Sequence, residues 1–119
     1  MTTKEIADRL VELSRKGDFE TAQKELFADD AVSIEAHETP NFAKETKGKK
    51  AIKEKGGKWN SMVQESHGLE VSEPLVAGNS FACSMRFKVT MKDVGYADMS
   101  ELCLYKVKDG KIISEEFIM

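Results

Sequence analysis

Residues 81–92 read Phe-Ala-Cys-Ser-Met-Arg-Phe-Lys-Val-Thr-Met-Lys, in which Phe81, Cys83, Met85, Phe87, Val89 and Met91 alternate with Ala82, Ser84, Arg86, Lys88, Thr90 and Lys92. A period of two puts the apolar set on one side of a β-strand and the polar set on the other, so one face is expected to be buried. The neighbouring runs 67–77, 96–108 and 111–119 also read as strands. Between them stand Gly78-Asn79, Asp93-Val94-Gly95 and Asp109-Gly110, the turn chemistry of hairpins, which predicts an antiparallel meander. In the run 96–108, Leu102 and Leu104 oppose Met99, Glu101, Cys103, Tyr105 and Val107. Apolar residues on both faces predict that the second face is covered as well, with a dimer partner as the candidate.

Upstream of this half the period is helical. Thr2 and Glu5 have capping-box spacing, Ile6, Leu10 and Leu13 follow on one face, and Gly17 offers a left-handed stop. Asp18 then caps a second helix carrying Phe19, Ala22 and Leu26. From Asp29-Asp30 the pattern changes to a strand in which Val32, Ile34 and Ala36 alternate with Ser33, Glu35 and His37. The aperiodic segment 37–47, with Pro40 and Asn41, is expected to be a loop, a candidate cover for a site. A third helix is predicted from about Lys49 to Val63 with Ile52, Trp59 and Val63 inward. Its Gly56-Gly57 pair costs about 1 kcal/mol per glycine, which predicts a compensating reason such as close packing on the sheet or a bend. Helices first and strands afterwards indicate a single α+β domain spanning residues 1–119.

Composition agrees with one soluble core. The chain is 40% apolar and 33% charged, with a formal charge of −3. The one dense basic run, Lys47 to Lys58, falls on the third helix and reads as a solvated face, not a nucleic-acid surface, since acids dilute it. Cys83 and Cys103 lie in strands without metal-ligand spacing and read as reduced, buried thiols. No stretch has the length of a membrane span or the pattern of a leader, so a cytoplasmic protein is expected. No metal or cofactor motif is present.

Several strings resemble the nuclear-transport-factor-2-like superfamily, especially SnoaL-like proteins and ketosteroid isomerases. They are Leu10-Val11 through Gly17-Asp18-Phe19, Leu26-Phe27-Ala28-Asp29-Asp30-Ala31, Gly48 to Ile52, and Lys108-Asp109-Gly110-Lys111-Ile112-Ile113. The resemblance covers nearly the whole chain and implies a cone in which N-terminal helices pack inside a curved antiparallel β-sheet around a pocket, with homodimerisation through the outer sheet face. It also implies a proton-shuttling acid at Glu35, counted from Ala28-Asp29-Asp30-Ala31. The tyrosine and second aspartate that serve ketosteroid isomerases fall at Leu10 and at Leu102 or Cys103, so those donors are replaced here.

The remaining candidates come from the residues themselves. Glu35 is either a proton shuttle or the partner of a lysine. Glu101, between Met99 and Cys103, would be costly if buried unpaired, and becomes a hydrogen-bond donor if burial raises its pKa. His67 could orient Glu35 or exchange protons with it, whereas His37 reads as a solvated rim residue. Trp59, Met62, Met85, Phe87 and Met99 either line an apolar cavity or form core, and Cys103 and Glu116 are further lining candidates. Glu115 and Glu116 occupy opposite strand faces, so one acid points inward, where Arg86 or Tyr105 could donate to it. Two function classes follow. One is an enzyme moving a proton on a small apolar carbonyl compound, as isomerase, cyclase or hydrolyase, and the other is a noncatalytic ligand-binding or dimerisation module.

Overall fold

Thr2 and Glu5 form the reciprocal cap that their spacing predicts, and helix α1 runs Thr3–Arg15 in a computed structural model describing all of residues 1–119. Ile6, Leu10 and Leu13 form its buried stripe. Gly17 turns the chain at φ 73°, a region in which a side chain is strained. The Asp18 carboxylate accepts from the Thr21 amide and starts α2, Phe19–Leu26. These two helices and α3, Lys49–Met62, pack against a seven-stranded sheet.

The strands are β1 Phe27–Ile34, β2 Glu45–Lys47, β3 Val63–Val71, β4 Leu75–Ala77, β5 Ser80–Met91, β6 Gly95–Lys108 and β7 Lys111–Ile118. Their order is β2-β1-β7-β6-β5-β3, with β4 paired to β5. The α+β class is as expected, but the sheet is mixed. β1 runs parallel to β7, and every other pairing is antiparallel. That parallel contact brings the N-terminal strand beside the last one, which an unbroken meander cannot do.

Three expectations change at the level of elements. The run 67–77 is two strands, interrupted at Ser72-Glu73-Pro74, and its first part begins earlier, at Val63. The segment 37–47 ends in the short strand β2, whose residues 45–47 pair with Ile34, Ser33 and Val32. A Cβ at Gly56 or Gly57 would meet nothing within 4 Å, so close packing of α3 on the sheet does not explain the pair.

The inner face of β5 is the predicted one: Phe81, Cys83, Met85, Val89 and Met91 are buried and Phe87 is half-buried. Tyr105 stacks on Phe81 with ring centroids 4.8 Å apart. Register shifts bend the sheet, two in β3 against β5, one in β1 against β7 and one in β7 against β6. The last of these decides which acids face inward.

Candidate functional site

Between α3, the inner face of the sheet and the 35–44 segment lies a cavity of about 380 Å³, half of whose lining residues are hydrophobic. A larger concavity of about 490 Å³ beside α2 and the start of α3 has no hydrophobic lining residue. Burial of a mostly apolar ligand is possible only in the first. Its deep end is set by Ile52, Tyr105 and Glu115, which are 1%, 2% and 7% exposed. Phe42 of the 35–44 segment lines it too, held under Lys58, whose ammonium lies 5.3 Å from the ring centroid. Gly56 and Gly57 border the space, so the missing side chains leave the cavity open where residues of α3 would otherwise protrude.

Glu35 follows β1 directly, and its Oε1 accepts from the Lys55 ammonium at 2.7 Å. The same ammonium donates to Ser33 Oγ at 2.6 Å and lies 5.5 Å from the Phe117 ring centroid. Lys55 is 15% exposed, so this member of the basic run is not part of a solvated face. Spacing within α3 turns it inward, three residues after the buried Ile52.

Glu101 faces the cavity from β6, opposite Met85 of β5. Burial, and after it the neighbouring Glu35, push its carboxyl up to about 7, against the opposing effect of the Cys103 thiol 3.8 Å away. Glu115 on β7 is raised to about 7 by burial, with Lys55 and a hydrogen bond from Ser33 acting in the other direction. Two carboxyls near neutrality and one lysine-bound carboxylate therefore share one enclosure. Tyr105 stands directly across the β6–β7 pairing from Glu115. Burial, then the proximity of Glu115, keep its phenol protonated.

Of the residues singled out in the sequence, Glu35, Trp59, Met85, Phe87, Met99 and Glu101 line this cavity together. His67 does not. It sits at a β3 register shift, exposed, its Nε2 2.6 Å from Thr90 Oγ1 and its ring 5.8 Å from that of Tyr96. Met62 lies at the end of α3, beyond the lining. Cys103 is fully buried behind the cavity wall, where a hydrogen bond with Cys83 and burial hold its thiol protonated. Glu116 faces outward opposite Leu104, and Glu115 is the inward acid. Strict alternation from the buried Ile112 would aim Ser114 and Glu116 inward, but the bulge at Ile113 shifts the phase by one residue. Arg86 lies on the outer face, bidentate to Asp98 at 2.9 and 2.7 Å, and reaches neither acid.

Sequence reasoning assigned no cavity role to Lys55, Phe42 or Phe117. The helical spacing from Ile52 was the available signal for Lys55; Phe42 lies in an aperiodic segment that carries none. No three His, Cys, Asp or Glu side chains gather as metal ligands would. No helix is long and apolar enough to cross a membrane.

The profile of a family described as a SnoaL-like domain matches residues 1–119. Among solved structures, a candidate SnoaL-like polyketide cyclase from Mesorhizobium loti is 40% identical, with all of both chains covered and a TM-score of 0.92. An NTF2-like protein from Burkholderia pseudomallei, 13% identical, aligns over 98% of this chain and 90% of its own with a TM-score of 0.76. A protein of ketosteroid isomerase-like fold from Catenulispora acidiphila, 16% identical, aligns over 99% and 87% with a TM-score of 0.69. Among curated proteins none matches the chain.

Proposed function

The chain belongs to the SnoaL-like domain family, and from there we propose that its cavity binds a small, mostly apolar carbonyl compound and moves a proton on it. The observation that carries this reading is the pairing of two unlike acids in one enclosure. Glu35 is fixed by Lys55, whereas Glu101 has its carboxyl raised to about 7 with no cation in contact. Two carboxyls driven to different roles by their surroundings are a common arrangement for acid–base work. In this reading Glu35 takes the proton from the carbon beside the carbonyl, and Glu101, in its neutral form, donates to the oxygen as charge develops there. Lys55 orients Glu35 and adds positive potential near the enolate. The 40% identity to a candidate polyketide cyclase supports a carbonyl-bearing ligand.

Deuterium exchange at the α-carbon of bound ketones, followed by NMR in heavy water, tests the chemistry. Glu35→Gln is expected to lower the exchange rate by about 10²- to 10⁴-fold, the usual contribution of a positioned base, while ketone binding by thermal shift persists. Ketone binding without exchange in the wild type would turn the reading to the second class, a ligand-binding module that performs no chemistry.

A homodimer through the outer sheet face completes the proposal. Leu102 and Ile118, both 44% exposed, stand opposite one another on that face beside the half-buried Leu104. The site is expected to act in the cytoplasm, without nucleic acid or membrane as partner.

A further inference from the structure

The acids lining the cavity outnumber its bases. Glu35, Glu101 and Glu115 all open on it, and the ammonium of Lys55 is already committed to Glu35 and Ser33. Lys53, the other lysine of the lining, is exposed and pairs with Glu20, also of the lining and exposed, at 3.2 Å. Glu101 and Glu115 thus have no cation in contact. At the deep end the Tyr105 hydroxyl is a second unengaged group. Its residue is 2% exposed and it makes no hydrogen bond within the protein. No fully buried side-chain polar atom lacks a partner, so this hydroxyl opens on the cavity. The Glu115 carboxyl, 7% exposed and directly across the strand pairing from Tyr105, faces the same space. A carboxyl group and a phenol oxygen at a closed end, flanked by aromatic rings, together make an acceptor site for an ammonium group.

We propose that the ligand carries a protonated amine, seated between Glu115 and Tyr105, with its apolar body against Trp59, Phe87 and Phe117. This inference rests on the reading of the cavity as a ligand site and names the ligand's charge class. A carboxylate ligand entering the same space meets two acids with no free cation to offset it. A neutral ligand leaves Glu115 protonated or, once the pH exceeds about 7, buried as an anion without a counter-charge. An ammonium supplies the missing charge and finds two acceptors. The groups facing Glu115 from the neighbouring elements are Ser33 and Glu35 at β1, Lys55 on α3, and Tyr105 and Glu101 on β6. Of these only Lys55 is cationic.

The test compares three probes with one body, 3-phenylpropylamine, 3-phenylpropanol and 3-phenylpropionate, by calorimetry on the full chain, beside 4-phenyl-2-butanone as a ketone. The amine is expected to bind at least about tenfold more tightly than the alcohol, a difference of about 1.4 kcal/mol, and the carboxylate more weakly than either. Amine binding is expected to release protons at pH 7, read as a difference between buffers of unlike ionisation enthalpy, and to tighten from pH 6 to pH 8 as the acids ionise. Glu115→Gln should abolish the preference for the amine over the alcohol. If that variant does not fold, the proton release and pH dependence of the wild type decide alone.

Equal or stronger binding of the alcohol or the carboxylate overturns the inference, as does amine binding without proton release. Ketone binding and exchange with no amine preference overturn it while leaving the carbonyl reading intact. Amine binding with no ketone binding sustains it and removes the carbonyl reading. No binding of any probe removes both.

Discussion

Glu115 enters the cavity because one extra residue, Ile113, interrupts the alternation of β7. Its carboxyl is raised from the ordinary 4.5 to about 7, chiefly by burial. The folded state therefore holds a proton that the unfolded chain releases at about 4.5. Stability from this group is complete below about pH 4.5, falls as the pH rises to about 7, and is flat beyond that. At about 1.4 kcal/mol per pH unit the buried charge costs on the order of 3 kcal/mol at pH 8. Glu101 acts in the same direction over the same range. Glu115→Gln is accordingly expected to raise the melting temperature at pH 8, to change it little at pH 5, and to flatten the profile between. A variant less stable than the wild type at pH 8 would show that the charged form is paired after all. Lys55→Met tests the opposing cation. Lys55 lowers both carboxyls, so its removal should move both titrations upward and extend the loss of stability above pH 7. Glu101 was legible in the sequence as an acid inside an apolar strand face. That one of Glu115 and Glu116 points inward was legible too, but Glu116 was the lining candidate, because a bulge leaves no mark in an alternating pattern, and Lys55 was hidden among lysines that do face solvent.

The same division holds for the elements. Helix starts with a side-chain cap were readable, since Thr2, Glu5 and Asp18 announce a local hydrogen bond that needs no tertiary context. Thr2→Ala is expected to lower stability by about 1 kcal/mol. The start of α3 has no such side chain, and Gly48 takes φ 95° there. Strand β2 was unreadable, because three residues paired to an edge carry no periodic signal. The glycine pair of α3 was visible as an anomaly, but its position on the border of the cavity was not. With open space at both positions, Gly56→Ala and Gly57→Ala should each stabilise the helix by about 0.5–1 kcal/mol. That is a rise of roughly 4 °C or more per kcal/mol in a domain of this size. Gly56→Leu should instead fill the space and suppress binding of the phenylpropyl probes. A stability gain with unimpaired binding in Gly56→Leu would show that the pair has no part in the cavity.

For the whole molecule, the helical and two-residue periods and the hairpin turns were sufficient to read an α+β domain, and the cone came from the family resemblance, yet the parallel contact of β1 with β7 depends on long-range pairing that local patterns do not encode. The outer face of that sheet exposes the apolar side chains of Leu102 and Ile118. Across β5, β6 and β7 it carries the row Ser84, Leu102, Ile118 and, beside it, Ala82, Leu104, Glu116. Towards one end lies the Arg86–Asp98 pair, with Glu70 3.7 Å from the guanidinium. A small apolar centre with a charged rim is the anatomy of a subunit interface, and a two-fold arrangement of this face lets Leu102 meet its own copy or Ile118. Light scattering is expected to give twice the monomer mass. Leu102→Glu combined with Ile118→Glu is expected to give the monomer, since like charges placed at a symmetric contact repel and must be desolvated together. Both side chains are already 44% exposed in the single chain, so the double variant should fold as a monomer with little change in its own packing. A wild type of monomer mass, or a variant that stays dimeric, would place the interface elsewhere or remove it. Because Glu101 and Leu102 are adjacent in β6, on opposite faces, loss of the dimer should also loosen the strand that holds the cavity acid. The expected accompaniment in the monomeric variant is therefore weaker ketone binding, with the proton release on amine binding at Glu115 retained.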